Sequence, residues 1–160
     1  MASTTFSGPV TSTAGFISGS DSLVSVTANA TMTSAANAGR TMVLDIASGA
    51  TVTLPAASGT GNIYKFFVAT TVTSNDYIIQ VANSSDTMSG MAIVANDGGA
   101  TASIFETAAD SDTITMDGST TGGILGAQVE LQDVASNKFS VVVRTAATGT
   151  EATPFSAAVS

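Results

Sequence analysis

The chain contains no cysteine, no histidine and no tryptophan. Disulfide frameworks, thiol chemistry, the common zinc sites and histidine-based triads are thereby excluded. Basic residues are almost as scarce: Arg40, Lys65, Lys138 and Arg144 are the full set against 12 acidic residues, and the formal charge is −8. So few cations supply no basic stripe for a phosphate backbone, and no nucleic-acid partner is expected. Charged residues make up 10% of the chain and hydrophobic ones 44%, which argues against disorder of the highly charged kind. The longest apolar run, Met91-Ala-Ile-Val-Ala95, falls far short of the ~18 residues of a membrane-spanning helix, so no membrane partner is expected either. The segment Met1-Ala-Ser-Thr-Thr-Phe6 has neither the positive charge nor the apolar core of a secretory signal, and a soluble product made in a cytoplasm is expected.

What is present is alanine, serine and threonine, which together make up close to half of the 160 residues. Valine, isoleucine and threonine are also abundant, and β-branched side chains favour strands. The length suits one domain with a core of its own. Residues 1–20 are small, polar and glycine-rich, with apolar anchors at Phe6, Val10, Phe16 and Ile17. They read as an extended N-terminal arm or a frayed terminus. Residues 21–145 read as a β-domain. Residues 146–160 are again small and polar, and with Pro154, Phe155 and Val159 as anchors they suggest a second, C-terminal arm.

Within the β-domain, short strands recur. Leu23, Val24 and Val26 begin the first, and residues 28–39 allow one helical turn stopped by Gly39. Met42, Leu44 and Ile46 share one face of a strand, and Val52 and Leu54 point inward from the next, which Pro55 ends. The segment Ile63-Tyr-Lys-Phe-Phe-Val-Ala69 is the most hydrophobic and predicts a central strand buried on both faces. Further strands are predicted at 77–82, 91–95, 101–106, 113–116, 127–134 and 138–144, with turn clusters between them. Ser136-Asn137 joins the last two as an antiparallel hairpin. About ten such strands at ~8–12-residue spacing imply a sandwich or barrel, and of these an all-β, antiparallel sandwich or jelly-roll-like domain is expected. No repeat of 20–50 residues is visible, which speaks against a solenoid.

Candidate chemistry is thin. Asp110, Asp112 and Asp117 present three carboxylates on one stretch, the beginning of a calcium site, but the glycine and final glutamate of a helical calcium loop are missing. A polar turn is the simpler account, and no metal or other cofactor is expected. Paired carboxylates for glycoside hydrolysis lack the aromatic platforms such sites use. Gly122-Gly-Ile-Leu-Gly126 has no lysine to hold phosphate and reads as a tight turn. Lys65 and Lys138 are the candidates for a serine–lysine pair or an isopeptide bond, with a solvated ammonium on a buried stem as the plainer reading. No residue is assigned a catalytic role and no enzymatic activity is expected. A surface of Ala, Ser, Thr and Gly loses little side-chain entropy when covered, and few charges mean small desolvation penalties. The composition suits permanent assembly.

Several segments resemble a known group. Thr51-Val-Thr-Leu-Pro-Ala-Ala-Ser-Gly-Thr-Gly61, Tyr64-Lys-Phe-Phe-Val68, Thr71-Val-Thr-Ser-Asn-Asp-Tyr-Ile-Ile79 and Asp86-Thr-Met-Ser-Gly90 resemble β-rich structural proteins of tailed bacteriophages, marine ones especially. Asp112-Thr-Ile-Thr-Met-Asp-Gly-Ser-Thr-Thr-Gly-Gly-Ile-Leu-Gly126, Val129-Glu-Leu-Gln-Asp-Val134 and Gly149-Thr-Glu-Ala-Thr-Pro-Phe155 are similar to the same group. The resemblance implies a virion component, first of all a head decoration (cement) protein. Such a protein sits on the capsid exterior, commonly as a homotrimer, and clamps neighbouring major capsid subunits. It further implies that the arms, through Phe6, Val10, Phe16, Ile17 and Phe155, contact capsid or neighbouring subunits. A tail or head fibre module that binds a receptor glycan is the alternative within virions, and a bacterial surface adhesin or a glycan-cleaving enzyme lies outside them.

Overall fold

The computed structural model describes residues 7–8, 22–98 and 100–159. Twelve strands and one helical turn follow in the order β1 (Leu23–Val26), β2 (Ala30–Thr31), α1 (Ser34–Asn37), β3 (Thr41–Leu44), β4 (Ala50–Thr53), β5 (Ile63–Val68), β6 (Tyr77–Gln80), β7 (Thr87–Ala95), β8 (Ala102–Glu106), β9 (Thr113–Met116), β10 (Gln128–Ala135), β11 (Lys138–Ala146) and β12 (Phe155–Ser156). They form two sheets, one of seven strands in the order β1-β3-β5-β10-β11-β7-β8 and one of five in the order β12-β9-β6-β4-β2. The fold is all-β, as the β-branched composition predicts.

The pairing differs from the expected antiparallel arrangement, because both sheets are mixed. β1, β3 and β5 run parallel in one sheet and β2, β4 and β6 run parallel in the other. The first six strands therefore pass alternately between the sheets and wind three coils of a short solenoid, contrary to the expectation drawn from the missing repeat. The coils start at Leu23, Thr41 and Ile63 and are unequal in length, so they leave no fixed period in the sequence. Alternation reports which side of a strand faces the core, and it is blind to whether the neighbour runs parallel or antiparallel. From β7 onward antiparallel pairing dominates, with the parallel β7–β11 pair as the exception.

A single apolar core lies between the sheets. Met42, Leu44, Tyr64, Phe66, Leu131, Phe139 and Val141 enter it from the seven-stranded sheet, and Val52, Tyr77, Ile79, Ile114 and Met116 from the five-stranded one, all essentially inaccessible to water. Each such side chain contributes on the order of 2 kcal/mol of gross hydrophobic stabilisation. β5 is central, as predicted, but only one of its faces is fully buried: Lys65 is exposed and Ile63 and Phe67 are half-buried. Thr33 caps the start of the helical turn, its Oγ1 accepting from the Ala36 amide at 3.2 Å, and the turn ends where Ala38 goes extended and Gly39 takes φ 74°. The β10–β11 hairpin turns through Asn137 at φ 59°, a conformation asparagine tolerates better than most residues.

Buried carboxylates lock the connections. Asp133 is 3% exposed. It accepts from the amides of Ser58 (3.0 Å), Gly59 (2.7 Å) and Thr60 (3.0 Å) and from Thr60 Oγ1 (2.6 Å). Asp86 Oδ2 accepts from the Ala57 amide at 3.0 Å. Two carboxylates from the second half of the chain thus hold the loop that carries the second coil into the third.

The C-terminal residues, read from the sequence as a second arm, lie along the edge of the domain. β12 pairs with β9 at the edge of the five-stranded sheet, and Pro154 and Phe155 are buried. Asp112 Oδ1 accepts from the Ala158 amide at 2.8 Å and so holds the strand's exit. The segment stays on its own domain because Phe155 joins the core and Val159 packs against it. Phe6, Val10, Phe16 and Ile17, the expected anchors of an N-terminal arm, lie outside the described residues.

Candidate interaction surface

The structure disperses the residues that suggested chemistry. Asp112 and Asp117 flank opposite ends of β9, and Asp110 is exposed. Asp117 spends its carboxylate on its own turn, accepting from the amides of Ser119 (2.8 Å) and Thr121 (3.0 Å) and from Thr120 Oγ1 (2.8 Å). Burial acts to raise its pKa, but those amides and hydroxyls outweigh it and hold the group down at about 2. Burial likewise opposes ionisation of Asp133, and the Thr60, Gly59 and Ser58 donors overcome it, so its pKa is also lowered. No group of three or more metal-ligating side chains occurs among the described residues. The glycine cluster forms turns: Gly122 and Gly123 both have positive φ, and a side chain on the neighbouring Gly118 would run into the Val72 carbonyl. Phe155, expected at an interface, sits in the domain's own core at 7% exposure.

The two outer faces of the sandwich are unlike. On the five-stranded sheet, Thr31, Thr53 and Gln80 lie in one cross-strand row and Thr51, Ile78 and Thr115 in the next. On the seven-stranded sheet one row runs Val43, Phe67, Gln128, Arg144, Ile93, Ile104 and the adjacent one Leu23, Thr41, Lys65, Glu130, Val142, Met91, Glu106. Leu23 (62%), Met91 (44%), Ile93 (39%) and Ile104 (64%) are strongly exposed there, and no comparably exposed large apolar residue lies on the five-stranded sheet among the described residues.

Charge follows the same division. Lys65, Lys138 and Arg144, three of the chain's four cations, alternate outward on β5 and β11 of this face. Lys65 Nζ lies 3.5 Å from Glu130 Oε2, with both side chains half-exposed. Lys138 Nζ donates to Thr87 Oγ1 at 2.7 Å. Both ammonium groups thus have partners on the face. The depression between β5, β10 and β11, lined by Thr41, Lys65, Phe67, Glu130 and Arg144 among others, measures about 250 Å³ and is open. That is below the ~300–1,000 Å³ of ordinary small-molecule sites. The face suits a broad contact better than an enclosed ligand.

Sequence reading missed this surface, although a signal was there. Met91-Ala-Ile-Val-Ala95 is apolar at successive positions, so β7 has an apolar outer face as well as an apolar inner one. Comparison with protein-family models, with curated proteins and with solved structures finds no match to the chain.

Proposed function

We propose that the protein is a structural component of a virion, a head decoration protein that attaches to the capsid exterior through the outer face of its seven-stranded sheet and clamps neighbouring major capsid subunits. The observation that carries the reading is the pairing of four exposed large apolar side chains with three of only four cations on one face of a −8 chain. An apolar face of this kind marks an interaction site, and its cations complement an acidic partner while the acidic remainder keeps free copies soluble. The low side-chain entropy of the Ala/Ser/Thr surface and the segments resembling phage structural proteins support the same reading. The homotrimer implied by that resemblance belongs to the proposal. Its mechanism is mechanical: apolar area covered between subunits adds ~25 cal/mol per Å² of gross stabilisation to the shell, less the cost of docking.

Locating the chain in purified particles by electron cryomicroscopy tests this. Density for the domain on the shell exterior is the expected result. Density at the tail tip would replace it with the fibre-module reading, and particles lacking the chain would remove both.

A further inference from the structure

Among the described residues the two sheets end in four edges, and they are not equally protected. β2 and β12 are two residues long, too short to template a partner. β1 is four residues long. β8, Ala102-Ser-Ile-Phe-Glu106, is the longest edge strand and pairs with β7 in unbroken antiparallel register. It has no lysine, no proline and no bulge, the devices that ordinarily blunt an edge.

Its free hydrogen-bonding groups can be assigned. The Asn96 amide donates to the Thr101 carbonyl at 3.0 Å and the Thr107 amide to the Gly90 carbonyl at 3.1 Å. Antiparallel ladders alternate, so Ser103 and Phe105 turn their backbone groups toward β7, and Ala102, Ile104 and Glu106 turn theirs outward.

We infer that β8 pairs antiparallel with β8 of a second copy, about a two-fold axis at Ile104, so that two seven-stranded sheets join into one. The sequence of the strand is complementary to itself in that register. Ile104 meets Ile104 of the second copy, and Ala102 meets Glu106. The three outward residues of each strand then exchange about six hydrogen bonds. The strand's one charge faces alanine, and the two Glu106 carboxylates stand ~13 Å apart along the strands, beyond the ~8 Å screening length at physiological salt. A parallel pairing would place glutamate beside glutamate, which is unfavourable. The Ile93–Ile104 row, which now stops at an open edge, continues across the axis into its symmetry mate. Five residues of edge fall short of the ~800 Å² per partner of a standard stable interface. The contact is therefore weak between dilute copies and strong when copies are held side by side. It does not rest on the capsid reading and can join copies within or between larger assemblies.

The absence of native cysteine gives a direct test. Ile104→Cys places a single thiol at the axis, and Leu125→Cys places one at a site 63% exposed but off the edge. With a short bismaleimide, the full-length Ile104→Cys protein is expected to give about tenfold more covalent dimer than Leu125→Cys. Adding Ala102→Pro, which removes an outward amide and no bond to β7, is expected to abolish that excess while the circular dichroism spectrum stays unchanged. Equal yields from the two single-thiol variants would overturn the inference, as would an excess that survives Ala102→Pro in a folded protein. If Ala102→Pro does not fold, the comparison of the two single-thiol variants alone decides. Cross-links from the Ile104→Cys thiol to a different protein in particles, with free chains remaining uncross-linked, would assign the edge to another partner's strand and also refute self-pairing.

Discussion

The inner faces of the two sheets are interchangeable in character, and the outer faces are not. Both inner faces are closed rows of aliphatic and aromatic side chains shielded from water. Outside, the five-stranded sheet shows mainly threonine, whereas the seven-stranded sheet shows isoleucine, methionine, leucine and most of the chain's cations. Folding needs only the inner rows. Side chains that remain apolar on the outer rows contribute little to the isolated domain, so the asymmetry points to a role in contact rather than in stability.

Substitutions can separate those roles. The harshest removes the seven-stranded face by breaking its sheet. A Cβ at Gly90 would overlap the Val141 carbonyl oxygen across the β7–β11 pair. Gly90→Ala is therefore expected to cost ~3 kcal/mol or more, read as a large drop in the urea midpoint. Next is Asp133→Ala, which strips the partners from three loop amides and is expected to cost about 3 kcal/mol, with exchange protection lost first at Ser58, Gly59 and Thr60. If that variant kept wild-type stability, the carboxylate clamp would be incidental.

Acid probes the same clamps without mutation. Asp117 and Asp133 have lowered folded-state pKa values. Their contribution is complete above the unfolded aspartate value of about 4 and is lost as pH falls through the folded value, which is about 2 for Asp117. Stability should therefore fall between about pH 4 and about pH 2, more steeply in the wild type than in Asp133→Ala. Parallel curves would mean that Asp133 titrates alike folded and unfolded.

The smallest expected effects on stability are on the outer faces. Met91→Ser with Ile93→Ser should shift stability by about 1 kcal/mol or less and still weaken particle attachment by about tenfold or more. Thr51→Ser with Thr115→Ser on the opposite face should change neither. Removal of residues 1–20 should leave the circular dichroism of the β-domain intact and lower co-sedimentation with particles. Unchanged attachment would release the N-terminal segment from any docking role.

Much of the fold was legible in the sequence. Period-two patterning located β3 and the β10–β11 hairpin closely, because each buries one face and leaves the other wetter. The parallel coils were hidden, since a strand's pattern carries no record of its neighbour's direction. Phe155 looked like an anchor for another molecule because local sequence does not show that β9 leaves an edge for it to complete. Asp133 was overlooked although its place in the Val129, Leu131, Asp133 alternation puts it on the inward side, where a carboxylate must be satisfied by hydrogen bonds. The apolar outer face was half visible in the apolar run of β7. Its cations became a cluster only when β5 and β11 were brought into one sheet around β10.

Hydroxyl-radical footprinting of the chain, free and assembled on purified virions, decides whether the seven-stranded sheet is the docking face. Strong protection at Met91, Ile93 and Leu23 on the seven-stranded face is the expected result, with unchanged labelling at Ile78 on the five-stranded one. Protection confined to the five-stranded face, or labelling identical in the two states, would contradict it.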